Sequence, residues 1–380
     1  MGCASRRVPG RGAPARRPAG GPGTHLARAC TRISAAAALC AGSCGAFAQC
    51  SPAPAGATTL CNPGASIAAL ARPQTGAYMG IQRMTSFAFV HSLQDRWGDP
   101  LQLSPGNAWI RAGGQGMSST SADGRFDTDS RGWVLQGGAD VAKWSLFGGA
   151  DRLHLGAMAG YASGRTDANA LGNPIQARGD FSGGAIGMYG TWYQNDRSRL
   201  GWYTDVWGQY AGFSNTVDTG LPFDRTGYDS HISMFSAEGG YAMPLGASGN
   251  WVLEPQGQII YLHNHSYVAL EPTGLAVKGS HRSAYTSRLG LRLRSTSSPD
   301  WGWGVRPYAA FNWWYDNTGE ELTVNQFSVR DMYPGSRYEV KAGVNVDFKP
   351  GWAGWGDVGW QWGNQSYQAW TVRGGMKYAW

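Results

Sequence analysis

From Asn62 onward the 380-residue chain contains no cysteine; all six (Cys3, Cys30, Cys40, Cys44, Cys50 and Cys61) fall within the first 61 positions. A domain that crosses an oxidising compartment unfolded is better off without thiols, which would cross-link there. Cys50 and Cys61 are placed to close a small disulfide loop in a processed chain. Also absent is any run approaching the roughly 18 consecutive apolar residues that a membrane-crossing helix needs. If this chain enters a membrane it must do so as a closed barrel, since only helices and barrels satisfy their own backbone in lipid. The first 50 residues lack acids and lysine altogether but hold seven arginines (Arg6, Arg7, Arg11, Arg16, Arg17, Arg28 and Arg32). Taking those seven from the 32 bases leaves 25 against 25 acids, so the net charge of +7 belongs to the N-terminal stretch alone. A nucleic-acid partner is therefore not expected from the charge. No nucleophile elbow, P-loop or zinc-protease spacing occurs. His263-x-His265 has a metal-like spacing but no third ligand spaced nearby. No catalysis, cofactor or metal is expected.

What the chain has in abundance is glycine (57 residues) and tryptophan (18). The last twelve residues set the pattern. Trp370, Val372, Gly374, Met376, Tyr378 and Trp380 alternate with Ala369, Thr371, Arg373, Gly375, Lys377 and Ala379. Side chains alternate faces along a β-strand, so one face is apolar and aromatic and the other small or cationic. A strand with lipid on one side and a wet lumen on the other has this composition; the alternative is an edge strand of a soluble sandwich.

The same alternation recurs from Asn107 onward. Ala108, Ile110 and Ala112 oppose Trp109 and Arg111; Trp133 and Leu135 oppose Val134 and Gln136. Val206 and Tyr210 oppose Asp205, Trp207 and Gln209, and Leu253, Pro255, Ile259 and Tyr261 oppose Glu254, Gln256 and Gln258. Leu289, Leu291 and Leu293 oppose Arg288, Arg292 and Arg294, and Val340, Val344 and Phe348 oppose Glu339, Lys341 and Asn345. About twelve strands result, all-β, with short connections at one end (194–200, 244–250, 349–354) and mostly long ones at the other (164–180, 214–229, 264–283, 317–337). This predicts a transmembrane antiparallel β-barrel over 99–380 with both ends of its wall on the short-turn side. The inward parity puts Arg111, Asp205, Glu238, Glu254, Arg288 and Arg292 in the lumen.

Ahead of the barrel, residues 1–48 read as a secretory leader with a small-x-small cleavage site at Ala46-Phe47-Ala48, and 49–71 as an Ala/Pro/Ser/Thr-rich linker. Residues 72–98 carry one helix, from about Thr75 to Trp97 behind Pro73, whose mixture of small and charged residues suits either a helix in a polar pore or one packed on a sheet.

Taken together these residues resemble the C-terminal translocator of type Va autotransporters, the pertactin-like family. Thr75-Gly76-Ala77-Tyr78 and Ser92-Leu93-Gln94-Asp95-Arg96-Trp97-Gly98 look like that family's pore helix and its closing Asp-Arg-x-Gly. Asn107-Ala108-Trp109-Ile110-Arg111, His154-Leu155-Gly156, Gly160-Tyr161, Leu253-Glu254-Pro255-Gln256, Arg288-Leu289-Gly290-Leu291-Arg292 and the terminal aromatic follow in the family's order. The resemblance covers about residues 72–380. It implies a 12-stranded outer-membrane barrel with an N-terminal α-helix in its lumen, in which Tyr78, Arg83, Asp95 and Arg96 belong to the pore helix. It also implies that Met376, Tyr378 and Trp380 form an assembly signal, captured by the barrel-assembly machinery after periplasmic chaperones deliver the chain to outer-membrane lipid. Some members cleave themselves at an Asn in the pore helix with help from lumen acids. Asp205, Glu238 and Glu254 are candidate acids, but 72–97 contains no Asn, so that activity is not carried over. The family's passenger of several hundred residues has only about twenty-five residues in its place here.

The expected function is export or anchoring of an N-terminal segment at the cell surface. Three other readings stand beside it. A surface adhesin would act through loops such as 164–180 and 264–283; Arg178-Gly179-Asp180, in a predicted extracellular loop, has the form of an integrin motif and equally of ordinary loop chemistry. A diffusion porin would need an unobstructed lumen. A soluble glycan-binding β-protein would place its tryptophans on a sheet face rather than in girdles near strand ends.

Overall fold

The computed structural model describes residues 72–98, 106–246, 249–265, 267–279, 283–297, 304–317, 321–325, 327–349 and 351–379, all within the compact unit Pro63–Trp380. The leader, the linker, the Cys50/Cys61 pair and Trp380 lie outside the described residues. The chain runs through α1 (Pro73–Phe87), α2 (Leu93–Trp97), β1 (Asn107–Thr120), β2 (Phe126–Trp144), β3 (Arg152–Ala170), β4 (Ala177–Tyr193), β5 (Gly201–Asp218), β6 (Thr226–Leu245) and β7 (Trp251–Asn264). It continues through β8 (Val268–Leu270), β9 (Ala276–Gly279), β10 (Ser283–Ser295), β11 (Gly304–Asn317), β12 (Leu322–Val324), β13 (Phe327–Val329), β14 (Ser336–Lys349), β15 (Trp352–Gly363) and β16 (Gln368–Ala379).

Twelve of these strands close into an antiparallel barrel in the order β1-β16-β15-β14-β11-β10-β7-β6-β5-β4-β3-β2. Its seam joins β1 to β16 from Asn107↔Ala379 to Ser118↔Gln368, so both ends of the wall meet at the rim of short turns. The alternation places the side chains as period two requires: Leu289, Leu291 and Leu293 are exposed while Arg288, Arg292 and Arg294 are buried. Outward apolar residues such as Ile186, Met188, Val358 and Val372 form the lipid-facing band. Aromatic pairs flank it at two levels. Trp352 with Tyr378 (ring centroids 4.7 Å apart) and Trp202 with Tyr241 (5.0 Å) lie toward the short-turn rim. Trp133 with Tyr161 (5.8 Å) and Tyr261 with Tyr285 (5.2 Å) lie toward the other.

At that far rim the strands outrun the sequence expectation. The stretches 164–180 and 214–229 are largely ladder rather than loop, leaving only 171–176 and 219–225 as connections. The outward residues there are charged or polar (Arg165, Asp167, Asn169), so the hydropathy signal ends where lipid ends while the hydrogen-bond ladder continues. The segments 264–283 and 317–337 do lie between barrel strands, but they contribute a separate four-stranded sheet in the order β13-β12-β9-β8. It buries Ala269, Val277, Leu322 and Val324. Strands of three or four residues are too short to show a period of two.

Many wall glycines make room for an aromatic ring on the neighbouring strand. A Cβ on Gly375 would lie 2.2 Å from Trp355 Cζ2, and one on Gly156 2.1 Å from Tyr189 Cζ. Gly375→Ala should therefore destabilise the barrel by about 1–3 kcal/mol, the usual range for overpacking. The readout is a lower temperature at which the folded band is lost in unboiled gel samples. Gly257→Ala, whose Cβ meets nothing nearer than Leu289 Cδ2 at 3.7 Å, should leave that temperature unchanged.

Candidate functional site in the barrel lumen

The helical segment lies inside the barrel. Pro73 supplies the fixed φ that suits a first helical position. Two helix glycines let α1 lie flush on the wall: a Cβ on Gly80 would come within 2.2 Å of Thr166 Cγ2, and one on Gly76 within 3.0 Å of Ala168 Cβ. Arg72 pairs with Glu271 at the far rim, and Tyr78 packs on Tyr228 (5.4 Å), which stacks on Tyr267 (4.4 Å). Arg83 Nη2 and Arg337 Nη2 both lie 2.8 Å from Asp316 Oδ2 of β11.

The single helix expected from Thr75 to Trp97 is in fact two, because α1 stops at Phe87 and α2 begins at Leu93. Ser92 and Asp95 form a capping box that starts the second helix; this local chemistry competes with continuing the first. The five residues between have carbonyls that need other partners, and the wall supplies them. Gln209 Nε2 donates to Phe89 O (3.2 Å), while Gln258 Nε2 (3.0 Å) and Trp207 Nε1 (3.3 Å) donate to His91 O. The His91 ring stacks on Trp207 at 4.8 Å.

From α2 the ties fan out to opposite walls. Leu93 N donates to Glu238 Oε2 (3.0 Å) and Gln94 Nε2 to Glu254 Oε1 (2.8 Å). Asp95 holds Lys341 Nζ at 2.7 Å and Arg373 Nη1 at 3.1 Å. Arg96 grips Asp205 with two nitrogens (2.5 and 3.2 Å) and donates to Thr191 Oγ1 (2.8 Å). Trp97 lies edge-on to His154 (5.1 Å), with Lys377 Nζ 4.3 Å above its ring. Below it His154 bridges Asp140 (3.0 Å) and Asp196 (3.2 Å), and Lys143 (2.8 Å) and Arg199 (3.1 Å) also reach Asp196. Burial alone would raise the carboxyl of Asp196, in the turn after β4. The His154 hydrogen bond, Arg199 and Lys143 outweigh it and hold Asp196 well below the usual carboxylate range.

The described strands thus enclose an ion-paired segment within a 12-stranded barrel. Residues 108–359 match the autotransporter beta-domain family. The chain belongs to that family. Among its relatives is the uncharacterised protein YdeU of Escherichia coli K12, 32% identical over 329 residues, covering 81% of this chain and 70% of that protein. The autotransporter adhesin AIDA-I of Escherichia coli is 27% identical over 326 residues, covering 81% of this chain but 25% of AIDA-I. This chain thus corresponds to about a quarter of that relative. Among solved structures, the AIDA-I transport unit from Escherichia coli superposes with a TM-score of 0.71 at 24% identity, covering 81% of this chain and 99% of the other. The translocator domain of NalP from Neisseria meningitidis gives 0.54 at 17%, covering 80% and 97%. At these identities the structural likeness is one of fold. The autotransporter barrel is an outer-membrane protein of type V secretion.

Within this autotransporter barrel, all six residues read from the inward parity (Arg111, Asp205, Glu238, Glu254, Arg288 and Arg292) are buried. Asp205, Glu238 and Glu254 touch the plug directly. Arg288 lies 3.1 Å from Glu238 and Arg292 3.4 Å from Glu254, bracing those acids, and Arg111 donates to Gln136 (2.9 Å). Tyr78, Arg83, Asp95 and Arg96 are buried on the plug itself. The site residues that sequence reasoning left out are Asp316, Arg337, Lys341, Thr191 and the His154 cluster. The parity of Lys341 was visible, but partnership with a plug acid 246 positions away is not a strand-level signal. Met376 and Tyr378 face outward, 45% and 40% exposed, while Trp380 is not among the described residues. Arg178-Gly179-Asp180 does not sit in a loop. It is ladder within β4, with Arg178 opposite Asp167 and Asp180 opposite Arg165. Gly179 faces α1, where a Cβ would meet Ile81 Cδ1 at 2.6 Å. His263 and His265 lie with rings 4.9 Å apart; among the described residues no three potential ligands group to hold a metal.

Proposed function

We propose that the barrel passes whatever chain precedes Arg72 through its lumen to the cell surface, and that residues 73–97 then remain as the plug that anchors it. The observation carrying this reading is that one α2 turn is tied to opposite walls, through Asp95 to β14 and β16 and through Arg96 to β5. A segment tied to opposite walls lies along the path a translocated chain would take, which supports this reading. On this reading residues 1–48 direct export across the inner membrane, the outward aromatic parity of β16 is what the barrel-assembly machinery engages, and periplasmic chaperones keep the chain unfolded in transit. The reading is non-enzymatic, the lumen serving as conduit and clamp. The occupied lumen weighs against a porin, and the ladder position of Arg178–Asp180 weighs against adhesion through that tripeptide. Deleting residues 49–97 should raise single-channel conductance in planar bilayers severalfold. Unchanged conductance would mean that the segment does not obstruct the pore and would remove the basis of this proposal.

A further inference from the structure

On the outer face of the barrel, immediately beyond the far aromatic girdle, two guanidiniums of like charge stand directly opposite each other. Arg131 of β2 is the ladder partner of Arg165 of β3, and their side chains are 68% and 49% exposed. Like charges at directly opposed positions, with Cβ atoms about 4.5–5.5 Å apart, destabilise a sheet. One outward position below Arg131 is Trp133, whose ring meets Tyr161. A two-residue step along a strand is about 6.7 Å, which puts both guanidiniums at the height where lipid headgroups begin. On the other side of Arg131, β1 presents Gly116, and the Trp370 indole lies where a Gly116 Cβ would stand, 2.4 Å from its Nε1. The rings of Trp133, Tyr161 and Trp370 lie on the same outward face, below and beside the exposed arginine pair.

Toward the far rim, Asp129 and Asp167 also stand directly opposite each other, and the acids hold these cations only through long contacts. Arg131 Nε lies 3.4 Å from Asp129 and its Nη2 3.9 Å from Asp167, and Arg165 Nε lies 3.4 Å from Asp180. Asp167 is held more closely by Arg178 (3.2 Å). These are long, exposed contacts without fork geometry, each of small value in water. A phosphate between the two arginines would receive charge-assisted, bidentate bonds that their planar forks favour, and would cancel their mutual repulsion. We propose that Arg131 and Arg165 form a binding site for the phosphate of a phosphorylated lipid headgroup in the outer leaflet, with Trp133, Tyr161 and Trp370 as the wall along which the lipid's apolar part lies. A lipid suits the site because the site is continuous with the lipid-facing band.

The test uses the full chain refolded in detergent micelles, with bisphosphorylated lipid A as probe and retained lipid quantified after gel filtration. Arg131→Gln/Arg165→Gln should weaken retention about tenfold or more, the scale of a lost charge-assisted contact. Arg125→Gln, on the β1–β2 turn, should leave it unchanged. On the unaltered protein, dephosphorylated lipid A should bind about tenfold more weakly, an arm that stands even if the double variant does not show the folded gel band. Equal retention by the folded double variant, or equal binding of the dephosphorylated lipid, would overturn the proposal. So would displacement of lipid A by inorganic phosphate at millimolar concentration, which would make the pair a free-anion site.

Discussion

Arg96→Met is expected to convert a mostly closed channel into one that opens often and stays open. Arg96 and Asp205 are both fully buried, and the guanidinium makes two bonds to the carboxylate and a third to Thr191. Removing the cation leaves a carboxylate without its charge partner in a low-dielectric wall, a loss of about 3–5 kcal/mol. If the plugged state carries that whole penalty and the unplugged state lets Asp205 meet water, the plug equilibrium moves by a factor of about 100 or more. The measurement is open probability in planar bilayers, with the 49–97 deletion defining the fully open level. Arg96→Met/Asp205→Leu, which removes the orphaned carboxylate as well, should close the channel again in part, because the penalty belongs to the unpaired charge rather than to the missing bond. Open probability in Arg96→Met indistinguishable from the unaltered protein would show that this pair does not hold the plug.

A one-residue insertion between Val372 and Arg373 should abolish assembly altogether. The strand is registered on both sides, with Arg373 opposite Gly113 on β1 and Asp357 on β15. A slip of one residue exchanges faces, sending Met376 and Tyr378 inward or Trp370 and Val372 inward, according to which half moves. In the first case Arg373 and Lys377 turn toward lipid, at about 2–4 kcal/mol each near the midplane and less toward the interface. The barrel does accept extra residues elsewhere. Register shifts occur between Asp140 and Ala142 and between Asp347 and Lys349, all near the short-turn rim, where a bulge disturbs few lipid-facing positions. An insertion between Tyr378 and Ala379 should accordingly assemble at reduced yield, while the central insertion should give normal synthesis, no folded gel band and rapid periplasmic degradation. Equal yields from the two would mean that register in β16 is not what assembly depends on.

The parts of this fold legible in the sequence were those written with a period of two. Leu289, Leu291 and Leu293 against Arg288, Arg292 and Arg294 announce both faces of β10 without any knowledge of its neighbours. What could not be read was of two kinds. Where outward residues become polar above the lipid, as at Arg165–Asn169, alternation between faces loses its contrast and a long hairpin looks like a loop. Where partners are remote in the chain, as with Asp95 and Lys341 or Arg83 and Asp316, each residue shows its face but not its mate. The break at Ala88–Ser92 belongs to the second kind, because the wall donors that stabilise the Phe89 and His91 carbonyls come from β5 and β7.

The seam between β1 and β16 has a kinetic consequence. Asn107 and Ala379 are ladder partners 272 positions apart, so the pairing that closes the wall is the most non-local of the strand pairings in it, and loops of that span are slow to form. Until it forms, the first and last strands each present a row of unpaired amide and carbonyl groups, the surface on which other chains would polymerise. Since closure cannot be shared out among sub-barrels, the intermediate most in need of protection is the nearly complete one. The rate of closing this last edge, compared with the rate of its capture by a second chain, should set the yield of every variant described above.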